Sequence, residues 1–452
     1  MHRCWANIKP KHLWSSIAPA GSKAGLVAAA ALVLAACGED AGDTAAQTFP
    51  LAAESATPIV TTYADIALAV YEDSYARAGE LSAAIDALVE SPTTESLAAA
   101  RAALLDARVP YQQSEVFRFG NPLVDDWEGR VNAWPLDEGL IDYVDPSYGQ
   151  QSDANPLYTV NVIANEAPLI NGAEIDATSI TAALLTDVLH EAGSIEANVA
   201  TGYHAIEFLL WGQDLNGTAD GAGDRPASDF AVGENCTGGN CERRIAYLQT
   251  ATQLLLDDLD EMVSLWNSDG AARQRLLDDS VAGVNAIISG MGSLSYGELA
   301  GERMKLGLVL HDPEEEHDCF SDNTHNSHYY NQVGIANVYW GEYERIDGTV
   351  VKGASLSALA ADKLPALAGT LDGAVGAATD ALTALKQRGD SVEAYDQMIG
   401  EGNADGQQTI EAAVEALVAQ TQPLEQLVAA LELGSVYIEG SDSLDDPSAV
   451  FQ

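Results

Sequence analysis

From Ile59 onward the apolar residues of this chain recur at helical spacing, and few stretches alternate as strands do. Ile66, Val70, Leu81, Ile85 and Leu88 share one helical face, with a break near Gly79, which is the pattern of an amphipathic helix. A second helix is expected from Thr94 to about Phe119: a Ser/Thr cluster after Pro92 opens it, and Gly120-Asn121-Pro122 stops it. Helical periodicity resumes from Ala177 to Trp211, kinked near Gly193 and Gly202, and then over Cys241–Trp266, Ala271–Ile288, Ser295–Leu310 and Tyr329–Tyr343. Two Ala/Leu-rich segments, Ser355–Lys386 and Thr409–Leu433, complete the set. These elements predict an all-α chain of two helical bundles. Residues 59–215 would form the first, 216–240 a linker rich in Gly, Asp, Asn and Pro, and 241–452 the second. The similar lengths of the halves point to an ancient duplication.

One region escapes the period. Between residues 121 and 176, Asn121-Pro122, Trp134-Pro135, Asp145-Pro146 and Asn155-Pro156 interrupt any helix, yet Trp127, Trp134, Tyr143 and Tyr148 lie there too. Aromatic content of that kind belongs to a long ordered loop region, and such regions inside compact domains are usually functional.

The first residues are expected to stand apart from the fold. Arg3, Lys9, Lys11 and Lys23 precede an apolar run from Ala24 to Ala36, which suits the h-region of a signal peptide and falls short of the roughly 20 residues of a membrane span. The run ends in Leu34-Ala35-Ala36-Cys37, the pattern of a bacterial lipoprotein signal in which Cys37 receives the lipid. The competing reading is an ordinary secretory signal with a chance cysteine. On the lipoprotein reading, residues 1–36 are removed and 37–58 tether the body to the envelope. Gly38 after the cysteine suits an outer-membrane destination, facing the periplasm of a Gram-negative cell.

Charge narrows the partners. The 68 Asp and Glu against 21 Lys and Arg give a formal net charge of −47, and removal of residues 1–36 takes away only basic residues. Phosphate backbones are repelled and no basic patch offsets this, so nucleic acid is excluded as a partner. Cations are the natural counterparts, although acidity spread along the whole chain is also what a salty habitat selects. Cys236 and Cys241, separated by Thr-Gly-Gly-Asn, can close a disulfide loop in an oxidising compartment. The alternative, a two-cysteine metal knuckle, lacks a second ligand pair nearby. Cys319 is then the odd thiol.

The most informative stretch is Gly202-Tyr-His204-Ala-Ile-Glu207-Phe-Leu-Leu-Trp-Gly-Gln-Asp214. His204 and Glu207, three apart on a helix, project from one face and can converge on one cation, while Gly202 admits a close backbone or ligand. A lone pair of this kind is more often a hydrogen-bonded interior couple, and two ligands do not hold a metal tightly. Glu115, Asp137, Glu138 and Asp142 are the carboxylates available to complete a ligand set. The block His311–His328 adds His311, His317, His325 and His328 among Asp312, Glu314, Glu315, Glu316, Asp318 and Asp322. Its Ser321, Asp322, Asn323 and Thr324 equally suit a loop and helix cap at a domain interface. His317 and His325 are expected to face the pocket.

The string GYHAIEFLLWGQD resembles the GxHxxE signature of the imelysin-like family of bacterial envelope proteins, which includes an insulin-cleaving membrane protease and iron-regulated lipoproteins. Tyr111–Phe119, Val131–Tyr143, Gly301–Met304 and Glu315–Asn326 resemble further family blocks, covering most of residues 59 to 435. Arg244, the Cys loop and the HDCFSDNTHN block are most similar to the iron-regulated branch. The resemblance implies an all-helical exported protein with its pocket between two bundles, linked to iron uptake and to iron-uptake partners in the envelope. Trp134, Arg118, Gly202, His317, Ser321, Asp322 and His325 are the pocket residues it implies. The cofactor expected is iron or another divalent cation. A metallopeptidase is the alternative, and a third reading is a module that binds a peptide or envelope partner. A zinc hydrolase needs about three ligands, an open water position and a free base. If Glu207 ligates the metal, it cannot also serve as that base, so non-catalytic binding is favoured.

Overall fold

The computed structural model describes residues 48–451; the expected signal peptide, Cys37 and most of the expected tether lie outside them. The chain is all-α, with two small antiparallel hairpins, β1 (Leu169–Ile170) with β2 (Ala173–Glu174) and β3 (Glu342–Glu344) with β4 (Val350–Lys352).

Helix α1 (Ala53–Glu90) starts earlier than the apolar period indicated and runs unbroken through Gly79, so the end of the expected tether is helical. No Cβ placed at Gly79 would meet a neighbour, so the glycine marks a half-buried helix position with open space beside it and no break. Helix α2 (Thr94–Ser114) opens with a capping box between Thr93 and Ser96 and tightens into a 3-10 turn at Glu115–Phe117. Helix α3 (Pro122–Asn132) lies inside the loop region. Between Ala177 and Thr201 the expected helix is reduced to one turn at Ala182–Leu184, a π-helical turn at Leu185–Leu189 and a 3-10 turn. Left-handed backbone at Glu191, Gly193 and Ser194 ends propagation there. Only α4 (Gly202–Trp211) remains of that segment as a regular helix.

Helix α5 (Cys241–Trp266) packs on α1, as does α7 (Ser280–Ser293), which follows the short α6 (Ala271–Leu277). The 216–240 boundary therefore does not divide the core: the larger apolar cluster runs from Leu51 to Leu431 and includes α1, α2, α4, α5 and α7. Tyr63, Tyr71, Phe117, Trp127 and Trp266 interlock within it, Tyr63 edge-on to Phe117 at 5.0 Å and Tyr71 edge-on to Trp127 at 5.8 Å. Past α7 the chain is π-helical over Leu294–Lys305 and then forms α8 (Leu306–Leu310), α9 (Thr324–Trp340), α10 (Leu356–Lys363), α11 (Pro365–Ser391), α12 (Tyr395–Ile399) and α13 (Ala404–Ala430). A second apolar cluster joins Leu299 and Met304 to α11, α12 and α13 through Leu382, Met398, Ile410 and Leu417.

Cys236 and Cys241 form the expected disulfide at the start of α5. Cys319 is a free, half-buried thiol whose pKa burial pushes well up, an inert setting. Among the described residues no helix is long and apolar enough to cross a membrane.

Candidate metal centre

All ten residues of α4 are buried, so a helix apolar on almost every side carries His204 and Glu207 into the interior with it. Burying Ile206, Phe208, Leu209, Leu210 and Trp211 stabilises the fold by about 1.5–3 kcal/mol per side chain. Burial raises the Glu207 carboxyl to about 7 against the hydrogen bonds from Ser321, a cost on the order of 3 kcal/mol once the group is ionised. The apolar face wins. Arg101 of α2 caps the last turn of α4, its Nε and Nη2 donating to the Leu210 carbonyl at 3.1 and 3.0 Å. At the other end Gly202 has φ +78°, and a Cβ there would lie 2.4 Å from the Val131 carbonyl oxygen. The closeness expected of Gly202 is thus to backbone, and it fixes α4 against the end of α3.

His204 Nδ1 lies 3.1 Å from Glu207 Oε2. Glu207 Oε1 accepts from Ser321 twice, from its backbone N–H at 3.0 Å and its hydroxyl at 2.6 Å. Ser321 belongs to the turn between α8 and α9, which Phe320 anchors on α4 by packing against Phe208. The same turn brings in Asp318. Among the described residues, His204, Glu207 and Asp318 form the one group of potential ligands whose donor atoms lie within 4.8 Å of one another, and all three are buried. Arg108 of α2 pairs with Asp318 Oδ1, Nε donating at 2.9 Å, and its Nη1 donates to Asn132 Oδ1 at 2.5 Å. Asn132 Nδ2 in turn donates to Glu128 and reaches His317 Nε2 at 3.4 Å. The His317 ring stands edge-on to His204 at 4.8 Å and beside Trp134 at 5.7 Å.

Among the described residues His204 Nε2, His317 Nδ1 and Asp318 Oδ2 have no hydrogen-bond partner although each is buried. Interiors leave few such atoms unpaired, and two of these three belong to residues of the one close group. Burial, then the nearby Arg108 guanidinium, lowers the His204 pKa to about 3, so its imidazole is neutral and its nitrogen lone pair is available to a metal. One imidazole with two carboxylates suits a hard or borderline divalent cation. The residues present therefore fit a metal of the kind the sequence implies.

The other expected ligands are engaged elsewhere. Glu115 accepts from Arg303 Nη2 at 2.7 Å. Asp137 accepts from Asn155, and Glu138 is bonded to Gln213. Asp142 is clamped by Arg244, with Nε at 2.6 Å and Nη2 at 2.9 Å, and by Arg225 Nη1 at 2.8 Å. Burial alone would raise the Asp142 carboxyl, but the two guanidinium groups outweigh it and hold it below its ordinary range. Four buried carboxylates thus serve structural networks. Of the pocket residues, Ser321 bonds Glu207 and His317 stands against His204, while Trp134 packs on His317 and Gly202 on the Val131 backbone. Arg118 instead faces Asp125, Glu128 and Glu298, and His325 turns away to Asp390 at 3.2 Å. Asp322, half-buried, has left-handed backbone and an Oδ1 without a partner among the described residues.

Asp318, Arg108 and Asn132 are what sequence reasoning missed. Asp318 stood in the histidine-rich block, but a turn has no periodicity to say which of two adjacent residues points inward.

The burial of carboxyls has a measurable consequence. Glu207, Glu138 and Glu128 are each raised to about 7, chiefly by burial. A carboxyl raised on folding holds its proton more tightly in the folded state, so its contribution is complete below the unfolded value near 4.5 and is lost as pH climbs through about 7. Chelator-treated protein is expected to melt at a lower temperature at pH 8 than at pH 5.5. A melting temperature that holds or rises over that interval in calorimetry contradicts the assignment.

The chain matches the family model described as Imelysin over residues 67–424. No curated protein matches it. Among solved structures it is similar to an iron-regulated protein A precursor from Parabacteroides distasonis, with 17% identity, TM-score 0.59 and coverage of 85% of this chain and 98% of that one. It is also similar to an imelysin-like protein from Psychrobacter arcticum, with 16% identity, TM-score 0.54 and coverage of 86% and 99%. At these identities the structural likeness carries the fold alone, whereas the family model spans most of the sequence. The chain belongs to the imelysin family.

Proposed function

We propose that this is an exported, lipid-anchored protein that binds a divalent cation, iron foremost, through His204, Glu207 and Asp318, and serves its acquisition at the cell envelope. The observation that carries the reading is the convergence of those three buried groups, with His204 Nε2 and Asp318 Oδ2 left without partners among the described residues. Iron as the metal draws further support from a structural neighbour described as iron-regulated, and the acidic surface raises the local cation concentration. Anchoring at Cys37 and an outer-membrane, periplasm-facing location rest on the sequence pattern of residues 1–37.

The chemistry favours holding a cation over hydrolysis. With Glu207 held as a ligand by Ser321 and His204, it cannot also serve as the free general base of a hydrolase. In isothermal titration of chelator-treated protein with Fe2+ kept under anaerobic conditions, one equivalent is expected to bind. The His204→Ala, Glu207→Ala double variant is expected to lose at least about a hundredfold in affinity, as removal of two ligands from a small set requires. Unchanged affinity in a folded double variant sinks the reading, and chelator-sensitive peptide cleavage abolished by Glu207→Gln replaces it with the peptidase.

A further inference from the structure

We propose that the Cys236–Cys241 disulfide is a reversible thiol–disulfide exchange site, in which the thiolate of an external dithiol attacks Cys236 and Cys241 leaves. The bridge closes over Thr-Gly-Gly-Asn alone, a sequence separation of 5. So short a loop restricts the unfolded chain less than a long one, and the bridge has a correspondingly small part in stability. The loop is also held by contacts that do not involve sulfur. Thr237 Oγ1 donates to Asp229 Oδ1 at 3.0 Å and lies 2.6 Å from Ser228 Oγ, and the Gly239 carbonyl accepts from Arg244 Nη1 at 3.1 Å. A Cβ at Gly238 would lie 2.6 Å from the Asp229 carboxylate oxygens, so the loop closes around that side chain whether or not the sulfurs are joined.

The two sulfurs differ, and the difference gives the exchange a direction. Cys236 lies in irregular chain and is partly exposed, between the exposed Asn235 and Thr237. Cys241 is 2% exposed and is the first residue of α5. An attacking thiolate reaches Cys236 and is screened from Cys241. The sulfur it expels is then the one whose anion the structure favours. The opening turn of a helix of 26 residues presents N–H groups and the positive end of the helix dipole to a thiolate. Arg244, one turn on, adds a donor. Asp142 takes its Nε and Nη2, while Nη1, which also donates to the Asp229 and Gly239 carbonyls, reaches Cys241 Sγ at 3.7 Å. The acids nearby are engaged or in solvent: Asp142 pairs with both Arg225 and Arg244, Asp229 with Arg225 and the Tyr143 hydroxyl, and Glu242 is exposed. A thiol of lowered pKa leaves faster and makes its disulfide easier to reduce.

The exchange balances in two steps. In the first, the attacking sulfur bonds to Cys236 Sγ as the Sγ–Sγ bond breaks, and the electron pair of that bond goes to Cys241 Sγ. In the second, the other thiolate of the dithiol attacks its own partner sulfur in the mixed disulfide, and Cys236 leaves and takes a proton. Two electrons and two protons pass to the protein, which ends with two thiols, and the dithiol ends as a disulfide. Because Thr237 and Gly239 keep the loop beside α5, the two thiols stay near each other and the reverse reaction remains available. The site shares no residue with the group formed by His204, Glu207 and Asp318.

Dithiothreitol is the dithiol probe, and glutathione, a monothiol that cannot complete the second step within itself, traps the first. Acid quenching soon after glutathione is added, followed by alkylation and peptide mapping, should place glutathione on Cys236 and the alkyl group on Cys241. In Cys236→Ser, the Cys241 thiol is titrated by the ultraviolet absorbance of its thiolate, with the Cys236→Ser, Cys241→Ser double variant subtracted to cancel Cys319. Its midpoint should fall at least about one unit below the ordinary thiol value. Protein reduced with dithiothreitol should stay folded, melt only a few degrees lower, and regain the bridge when the reductant is exchanged for oxidised glutathione. Glutathione found on Cys241, or a Cys241 midpoint at or above the ordinary value, overturns the proposed direction and with it the site. A bridge that millimolar dithiothreitol leaves intact in folded protein, or whose reduction unfolds the chain, is a structural one and overturns the proposal as well.

Discussion

Asp318→Asn is expected to lower cation affinity by at least about a hundredfold, as much as loss of a residue within the GxHxxE string, although Asp318 lies outside it. The substitution keeps the side-chain shape and an oxygen able to accept from Arg108, but it withdraws one of the two negative charges of the group. Electrostatic attraction between a divalent cation and a buried carboxylate is worth several kcal/mol even at an effective dielectric near 20. Asp318→Ala is a worse probe because it strands the Arg108 guanidinium, 3% exposed, without its partner, and breaking a buried pair costs about 3–5 kcal/mol of stability. Titration of Asp318→Asn with Fe2+ or Mn2+, beside a melting curve showing the variant folded, decides the matter. Wild-type affinity in the folded variant would falsify the assignment of Asp318 as a ligand.

The second large effect concerns folding. Gly202→Ala is expected to destabilise the protein by about 3 kcal/mol or more, the range reached when a forbidden backbone region and a core collision coincide. Gly202 has φ +78°, and its added Cβ would lie 2.4 Å from the Val131 oxygen and 2.5 Å from the carbonyl carbon. Neither contact can be relieved by a side-chain rotation, because both partners are backbone. Relief must come from moving α4 away from α3, which carries His204 and Glu207 from Ser321, Asp318 and His317. Stability in denaturant and cation affinity should therefore fall together. Gly79→Ala in α1 is the control: nothing lies within 4 Å of the added carbon, so helix propensity predicts a gain of a few tenths to about 1 kcal/mol. If Gly202→Ala unfolds at the wild-type midpoint, the close approach of α3 and α4 is not what positions the pair.

Much of the architecture was legible because helices announce themselves locally. The apolar period placed α1, α2, α5, α9 and α13 to within several residues, whereas the single segment expected over Ser355–Lys386 is two helices, α10 and α11; the Cys236–Cys241 loop and the pairing of His204 with Glu207 followed from short spacings. The segment from Ala177 to Thr201 misled because its apolar residues keep a helical period while its backbone leaves the helical region at Glu191, Gly193 and Ser194. The boundary at 216–240 misled for another reason. A polar, glycine-rich stretch marks where the chain leaves the core, not which core it rejoins, and α5 returns to pack on α1.

The carboxylates were the hardest to assign. Glu115, Asp137, Glu138, Asp142 and Asp318 look alike in sequence, and all five are buried. What separates them is which cation or donor reaches each one. Arg303 neutralises Glu115, and Arg225 with Arg244 neutralises Asp142. Asp318 shares one oxygen with Arg108 and keeps the other for the space beside His204. Those partners come from residues scores of positions away, so no local pattern distinguishes them.

The sequence by itself determined the helical class, the family and the helix that bears His204 and Glu207, because periodicity and a fixed three-residue offset are properties of neighbouring residues. The tertiary structure decided that Asp318 joins that pair, that Glu115 and Asp142 go to ion pairs, and that Asp137 and Glu138 go to the amides of Asn155 and Gln213. Each of these depends on which distant charges share a low-dielectric interior, and that pairing exists only once the turn at 317–321 has closed onto α4.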